Sequence, residues 1–340
     1  MTTVGLTGYG RYLPDRVLTA EEIAERSGIP EEVVIEKMGI REKRVCPPEE
    51  DHVTDMCVAA AEEALEDAAL EATDLDLVVY HGSEYKDYVV WSAAAAIADR
   101  LGAEEAYATE SHTLCASAPI AIRQAKAQLQ AEDLEVVLLV TASREEDLID
   151  YDNERSSFMF NFGSGAAGAV LEAAPGSRAR ALIHESAAVT DGSFAEDVIV
   201  PAGGSLEPAS EETVAEGRHT LDVPDHEGMK ERLEPVSLPN YLEVADTALE
   251  RSGFDRSALD FVAVTHMKRS FHELLVSELG LEVETGSYYL EEYGHVQSAD
   301  QILALEDGRR AGLLESGDVV CFLAAGTGYT WSASVLTWRG

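Results

Sequence analysis

Apolar positions recur along the chain in alternating helical and continuous runs. In 110–130, "ESHTLCASAPIAIRQAKAQLQ", Ala118, Ile120, Ala121, Ala125 and Leu129 return at helical spacing, which predicts a buried helix with Cys115 on its first turn. The run "VVLLV" at 136–140 predicts a buried strand, and "GDVVCFLAAG" at 317–326 predicts another. Residues 87–102, "DYVVWSAAAAIADRLG", predict a core helix. Residues 203–235 are polar and rich in Gly and Pro, and they predict an excursion from the second half of the chain.

The pattern repeats. Residues 62–80, "EEALEDAALEATDLDLVVY", lie without a gap over residues 246–264, "DTALERSGFDRSALDFVAV", with six identities in 19 positions. The same offset of 184 places 136–140 over "VCFLA" at 320–324. Each half therefore predicts helix, loop, strand, loop, helix, strand. Strands alternating with helices imply parallel sheets covered on both faces. Two such halves imply a duplicated α/β fold with a pseudo-twofold axis. In such sheets ligands gather beyond the carboxyl ends of the strands. The loops 81–88, 110–116, 265–270, 293–299 and 325–331 are thus expected to converge.

Composition narrows the partners. The 340 residues carry 64 acidic and 25 basic side chains, a formal net charge of −39, spread along the chain. Such a surface repels DNA, RNA and anionic membranes. With 46% hydrophobic residues the chain can still build a core, so the acid coats a globular surface. That balance is expected of a protein in a salt-rich cytoplasm, where counterions screen the self-repulsion. The four cysteines, at 46, 57, 115 and 321, show neither CxxC pairing nor His-rich spacing, so neither a disulfide scaffold nor a metal site is expected. The N-terminus does not read as a signal peptide, and no apolar run approaches a membrane span. A cytoplasmic protein is expected.

One cysteine, several histidines, a glutamate and a glycine turn fall in the converging loops. A thiol at a helix N-terminus gains from the helix dipole, which favours the thiolate, the nucleophilic form. His266 and His295 follow strands of the second half. Imidazoles there can move protons or donate hydrogen bonds to a developing enolate oxygen. "AGTGYTW" at 325–331 offers backbone N–H groups without bulky side chains in the way. A cysteine on a buried helix is more often packing than catalysis, and Cys57 and Cys321, inside apolar runs, fit that role. His112 and His272 read as structural or solvent-facing.

Three segments carry a resemblance. "MGIREKRV" at 38–45, "FGSGAAGAVL" at 162–171 and "GDVVCFLAAGTGYTWSASVLTW" at 317–338 resemble, in order, motifs of the ketoacyl synthase III branch of the thiolase superfamily. The resemblance implies a five-layered αβαβα fold with halves at 1–173 and 174–340, and a homodimer. It implies a condensing acyltransferase acting on acyl-CoA or acyl carrier protein thioesters, with no other cofactor. It also implies Cys115 as acyl acceptor, His266 as a catalytic histidine, and the N–H groups of Cys115 and Thr327 as oxyanion donors. Lys37, Arg155 and Arg269 fall near positions lining the pantetheine–nucleotide entrance. Two positions depart from the branch. It usually has asparagine where this chain has His295, in "GHVQSAD", so the site is Cys–His–His. Glu84, in "YHGSEYKDY", resembles the general acid–base of hydroxymethylglutaryl-CoA synthases, which share the fold. That activity, with Glu84 catalytic, is one alternative; a non-catalytic scaffold subunit is another.

Overall fold

A computed structural model of the chain describes residues 2–131 and 133–340. Its first half contributes β1 (Val4–Tyr12), β4 (Leu77–Gly82), β5 (Tyr107–His112), β6 (Val136–Ser143) and β7 (Gly165–Ala173), with β2 (Val17–Thr19) and β3 (Glu42–Arg44) forming a separate ribbon. The second half contributes β8 (Ala181–Thr190), β9 (Leu259–Val264), β10 (Val319–Gly326) and β11 (Thr330–Trp338). Nine strands form one sheet in the order β5-β4-β6-β7-β1-β8-β11-β10-β9.

The internal repeat is visible in that order. β4 and β6 are parallel, and β6, β7 and β1 then alternate in direction. From the other edge, β9 and β10 are parallel, and β10, β11 and β8 alternate in the same way. The halves join where β1 meets β8, with Val4 opposite Ile183. The second-half counterpart of β5 is reduced to one parallel bridge, Val262 to Ser287. Every residue of β4 and β6 is buried, as continuous apolar runs predict for strands covered on both faces.

The layers follow from which helix faces are apolar. Helices α1 (Val53–Ala68) and α2 (Ala93–Leu101) pack on the outer face of the first half-sheet, around Met56, Cys57, Tyr80 and Leu138. Helices α4 (His226–Arg251) and α5 (Arg269–Glu278) cover the second, around Leu249, Leu275, Cys321 and Trp331. Between the two lie α3 (Ser117–Ala131) and α6 (Asp300–Arg310), packed against Val137, Leu139, Phe261 and Phe322. This is the five-layered αβαβα arrangement. Helix α6 is buried from Asp300 to Gly308, so its polar residues must find partners inside the protein.

Three local expectations change. Residues 110–112 belong to β5, and α3 starts only at Ser117. The core helix expected over 87–102 covers only 93–101. Ser92 caps it by accepting from the Ala95 N–H at 3.3 Å, and Tyr88, Val89 and Val90 ahead of it are exposed. The polar segment 203–235 contains a short helix, Glu211–Ala215, and gives way to α4 at His226, where Asp225 accepts from the Gly228 N–H at 3.0 Å.

Candidate active site

After β5 the chain makes a single 3-10 turn, Leu114–Ala116, before α3. Cys115 therefore sits on the turn that feeds the helix, two residues ahead of its first α-helical residue. Leu114, just ahead of Cys115, has φ +51, in the left-handed region that side chains seldom adopt. The turn is braced from behind. The Ser298 hydroxyl donates to the Leu114 carbonyl at 2.9 Å, and Ser117 Oγ lies 2.6 Å from Ser298 Oγ and 3.0 Å from His81 Nδ1. Gly326, at the end of β10, presses on its other side. A Cβ there would lie 2.8 Å from both Ala116 N and Thr113 O.

Second-half residues complete the centre. His295 Nε2 is 3.1 Å from Cys115 Sγ, and His295 Nδ1 is 2.6 Å from Asp300 Oδ2. Asp300 has no exposure to solvent and is the hub of the site. Its Oδ2 also accepts the His266 backbone N–H at 2.7 Å, and its Oδ1 accepts that of Val296 at 2.8 Å. One carboxylate thus ties together both histidine-bearing loops. The His295 backbone N–H donates to Asn161 O at 2.8 Å, and its ring meets the edge of Phe162 at 5.1 Å between centroids.

The two imidazoles are electrostatically opposite. Burial disfavours a charged His295, but Asp300 and Cys115 outweigh it and hold its pKa well above the usual histidine value. Burial pushes His266 well below the usual value, and the charge on His295 pushes it further. Among the described residues no side chain hydrogen-bonds either ring nitrogen of His266, and the ring leans on Tyr289 at 4.9 Å between centroids. One histidine is a cation backed by a carboxylate; the other is neutral and lines the cavity.

Cys115, His266, His295 and Thr327 line one cavity of about 340 Å³, with Phe158, Phe162, Tyr241, Phe271 and Tyr329 among its walls. Lys37 lines it. Arg155 and Arg269 do not. The Arg155 guanidinium is held by Asp222, at 3.2 Å through Nε and 2.9 Å through Nη2. Arg269 pairs with Glu291 and lies over the Tyr289 ring at 4.7 Å. Its neighbour Lys268, just ahead of α5, lines the cavity instead. Glu84 also stands apart. Its side chain is 75% exposed, pairs with His112, and lies 3.7 Å from Lys86 Nζ. Of the converging loops, 81–88 contributes bracing through His81, with no residue in the cavity wall.

Asp300 and Lys268 were not singled out from the sequence. The signal for Asp300 was present: a carboxylate five residues after His295 at a helix start, where the dipole favours it. The remaining cysteines behave as packing. Burial raises the Cys46 thiol to about 11 and the Cys321 thiol to about 12, and raises Cys57 well above its usual value. Among the described residues, no group of three His, Cys, Asp or Glu side chains is arranged to hold a metal ion, and no helix is long and apolar enough to cross a membrane.

Residues 110–192 match the family described as 3-oxoacyl-[acyl-carrier-protein (ACP)] synthase III, and residues 249–338 match the family described as its C-terminal part. The chain belongs to the thiolase superfamily, in its β-ketoacyl synthase III-like branch. The β-ketoacyl-[acyl-carrier-protein] synthase III of Desulfitobacterium hafniense is 28% identical over 99% of this chain and 98% of its own length. That of Caldanaerobacter subterraneus is 29% identical over 98% and 97%. A crystal structure of a 3-oxoacyl-(acyl-carrier-protein) synthase III superposes with a TM-score of 0.86 at 26% identity, covering 99% of this chain and all of the other. The priming β-ketosynthase of the R1128 polyketide pathway superposes at 0.85 with 25% identity, covering 99% and 96%. As a β-ketoacyl synthase III-like protein the chain is a condensing acyltransferase.

Proposed function

We propose that Cys115 accepts an acyl group from a carrier thioester and that the site then condenses it with a second thioester. The observation that carries this reading is the contact of Cys115 Sγ with the His295–Asp300 pair inside a cavity that also holds the neutral His266. In loading, Sγ attacks the thioester carbonyl carbon. The N–H groups of Cys115 and Thr327 receive the oxyanion. As that intermediate collapses, the carbon–sulfur bond to the carrier breaks and the carrier sulfur leaves with the proton held by His295. In condensation the second thioester becomes an enolate, either by losing CO2 or by passing an α-proton to the neutral His295 Nε2, which then joins His266 in donating to the enolate oxygen. Its carbon bonds to the acyl carbon as the bond to Sγ breaks.

Acyl-CoA or an acyl carrier protein supplies the thioesters. Lys37 and Lys268 support an anionic carrier: both are exposed, both line the cavity, and neither is drawn into an ion pair among the described residues. The protein acts in a salt-rich cytoplasm as a homodimer. Supporting the dimer, β5 is an uncovered sheet edge, and Val89 and Val90 beside it are 87% and 103% exposed. The halves divide near residue 173, where β7 ends.

The test is mass spectrometry of the intact protein after incubation with a panel of acyl-CoAs, followed by peptide mapping. One added acyl mass on Cys115, absent in Cys115→Ala, is expected. Label on Cys46 instead, or no label from any donor, would overturn the reading.

A further inference from the structure

Cys115, His295 and Asp300 form a relay with the connectivity of a nucleophile, a base and an orienting acid. Sγ to Nε2 is 3.1 Å and Nδ1 to Oδ2 is 2.6 Å. Loading a thioester does not need this much. A hydrogen-bond donor beside the acyl group suffices for condensation, and an amide at this position could donate but could not take a proton. An imidazole backed by a buried carboxylate can do both. Asp300 Oδ1 is already satisfied by Val296, so Oδ2 stays aimed at the His266 N–H and at His295 Nδ1. That bond fixes the tautomer: Nδ1 carries hydrogen, and Nε2, once it has given up its proton, presents a lone pair to whatever is bonded to Sγ.

We propose that this relay gives the enzyme a second activity, hydrolysis of its own acyl-Cys115 when no carbon nucleophile is bound. The inference rests on Cys115 being the acyl acceptor. Loading removes the proton from His295 with the departing thiol. A water molecule entering the cavity hydrogen-bonds to the neutral Nε2. As its oxygen attacks the acyl carbon, its proton moves to Nε2, and Asp300 stabilises the imidazolium that forms. The tetrahedral oxyanion occupies the position used in loading. Collapse breaks the carbon–Sγ bond, releases the free acid, and returns the proton-bearing His295 beside the sulfur. No oxidant or further reactant is consumed, and the net reaction is thioester plus water to acid plus thiol.

The probe is p-nitrophenyl butyrate, an activated ester that acylates a nucleophilic cysteine without needing carrier recognition. The whole protein should release a burst of one p-nitrophenol per chain, from acylation, and then a steady release set by deacylation. Cys115→Ala should show neither. Asp300→Asn should keep the burst amplitude and slow the steady phase by about 100-fold or more, since mis-set tautomers in such relays cost up to roughly 10⁴-fold. His295→Asn, which preserves the backbone of the loop, should do the same and covers the case in which the Asp300 variant does not fold. A burst followed by an acyl-enzyme that persists for hours overturns the hydrolysis and leaves condensation standing. Absence of a burst, together with no acylation by any acyl-CoA, overturns both. A steady phase unchanged in both variants also overturns it.

Discussion

At the scale of single residues, the site separates groups that touch substrate from groups that hold them. His295→Ala removes a preorganised donor, so condensation should fall by about 100- to 1000-fold. Single-turnover labelling would still find the acyl group on Cys115. Glu84→Gln should change the condensation rate by no more than a few-fold in the same assay, because Glu84 lies outside the cavity and faces His112 and Lys86. Lys43 belongs to the holding class. It is fully buried, and its Nζ donates to Phe160 O at 2.9 Å and Phe162 O at 2.6 Å, beside the ring that meets His295. Burial lowers its pKa to about 7. Between pH 7 and the usual lysine range the unfolded chain binds the extra proton, so raising pH favours the fold. Urea unfolding should show wild type gaining stability over Lys43→Met as pH rises from 7 to 9, by up to about 1.4 kcal/mol per pH unit. A pH-independent difference would count against a neutral Lys43.

At the scale of elements, the nucleophile is positioned by a junction of four segments rather than by one helix. β5 delivers the chain, a single turn presents Cys115, α3 begins behind it, and the end of β10 closes on the turn. Gly326 is the contact that leaves no room. Its added Cβ would meet backbone atoms of Thr113 and Ala116, which cannot swing aside as a flexible side chain can. Gly326→Ala should cost about 1–3 kcal/mol of stability from overpacking. Because a shift near 1 Å in a reacting group can cost about 100-fold, acylation of Cys115 should fall by that order in a folded variant. Mass-spectrometric acylation rates together with a thermal melt separate the two effects. Elements also explain which entrance residues were misplaced. Lys268, in non-helical backbone just ahead of α5, reaches the cavity, whereas Arg269, the first residue of α5, turns to Glu291.

At the scale of the molecule, charge and buried histidines set the response to solution conditions. The net charge of −39 repels itself, so stability should rise with potassium chloride as the screening length shortens to about 3 Å at 1 M. A melting temperature that does not move between low and molar salt would refute this. Acid acts through the interior. Burial lowers the His81 pKa to about 3 and the His272 pKa to about 4, and it holds His266 well below the usual histidine value. Each stays neutral in the fold while the unfolded chain protonates. Their contribution is therefore complete above about pH 6.5 and is lost as pH falls towards 4, by about 1.4 kcal/mol per unit for each group. His295, with a raised pKa, contributes in the opposite sense: its share is complete below about pH 6.5 and is lost as pH rises through its folded value. In molar salt, where surface repulsion is screened, the urea midpoint should be lower at pH 5 than at pH 7.5. An equal or higher midpoint at pH 5 would show that the buried imidazoles accept protons without unfolding.

The sequence alone determined the duplicated α/β plan, because offset-matched apolar runs are a local property that any covered sheet must display. It also pointed to Cys115, His266 and His295 as candidates, since a cysteine and histidines at strand ends stand out in an acid-rich chain, and all three line one cavity. Tertiary structure decided what those groups do to one another. Asp300 is one of 64 acidic residues, and its place at a helix start after His295 does not by itself separate it from a solvated carboxylate. Only the burial of α6 between the half-sheets removes it from water and sets it against two histidine loops at once. Arg155, Arg269 and Glu84 carried the right chemistry at the right place in the chain, but their directions were settled by Asp222, Glu291 and His112, partners 67, 22 and 28 residues away. Side-chain direction depends on which counter-charge packs nearest, and that is known only once the chain has closed on itself.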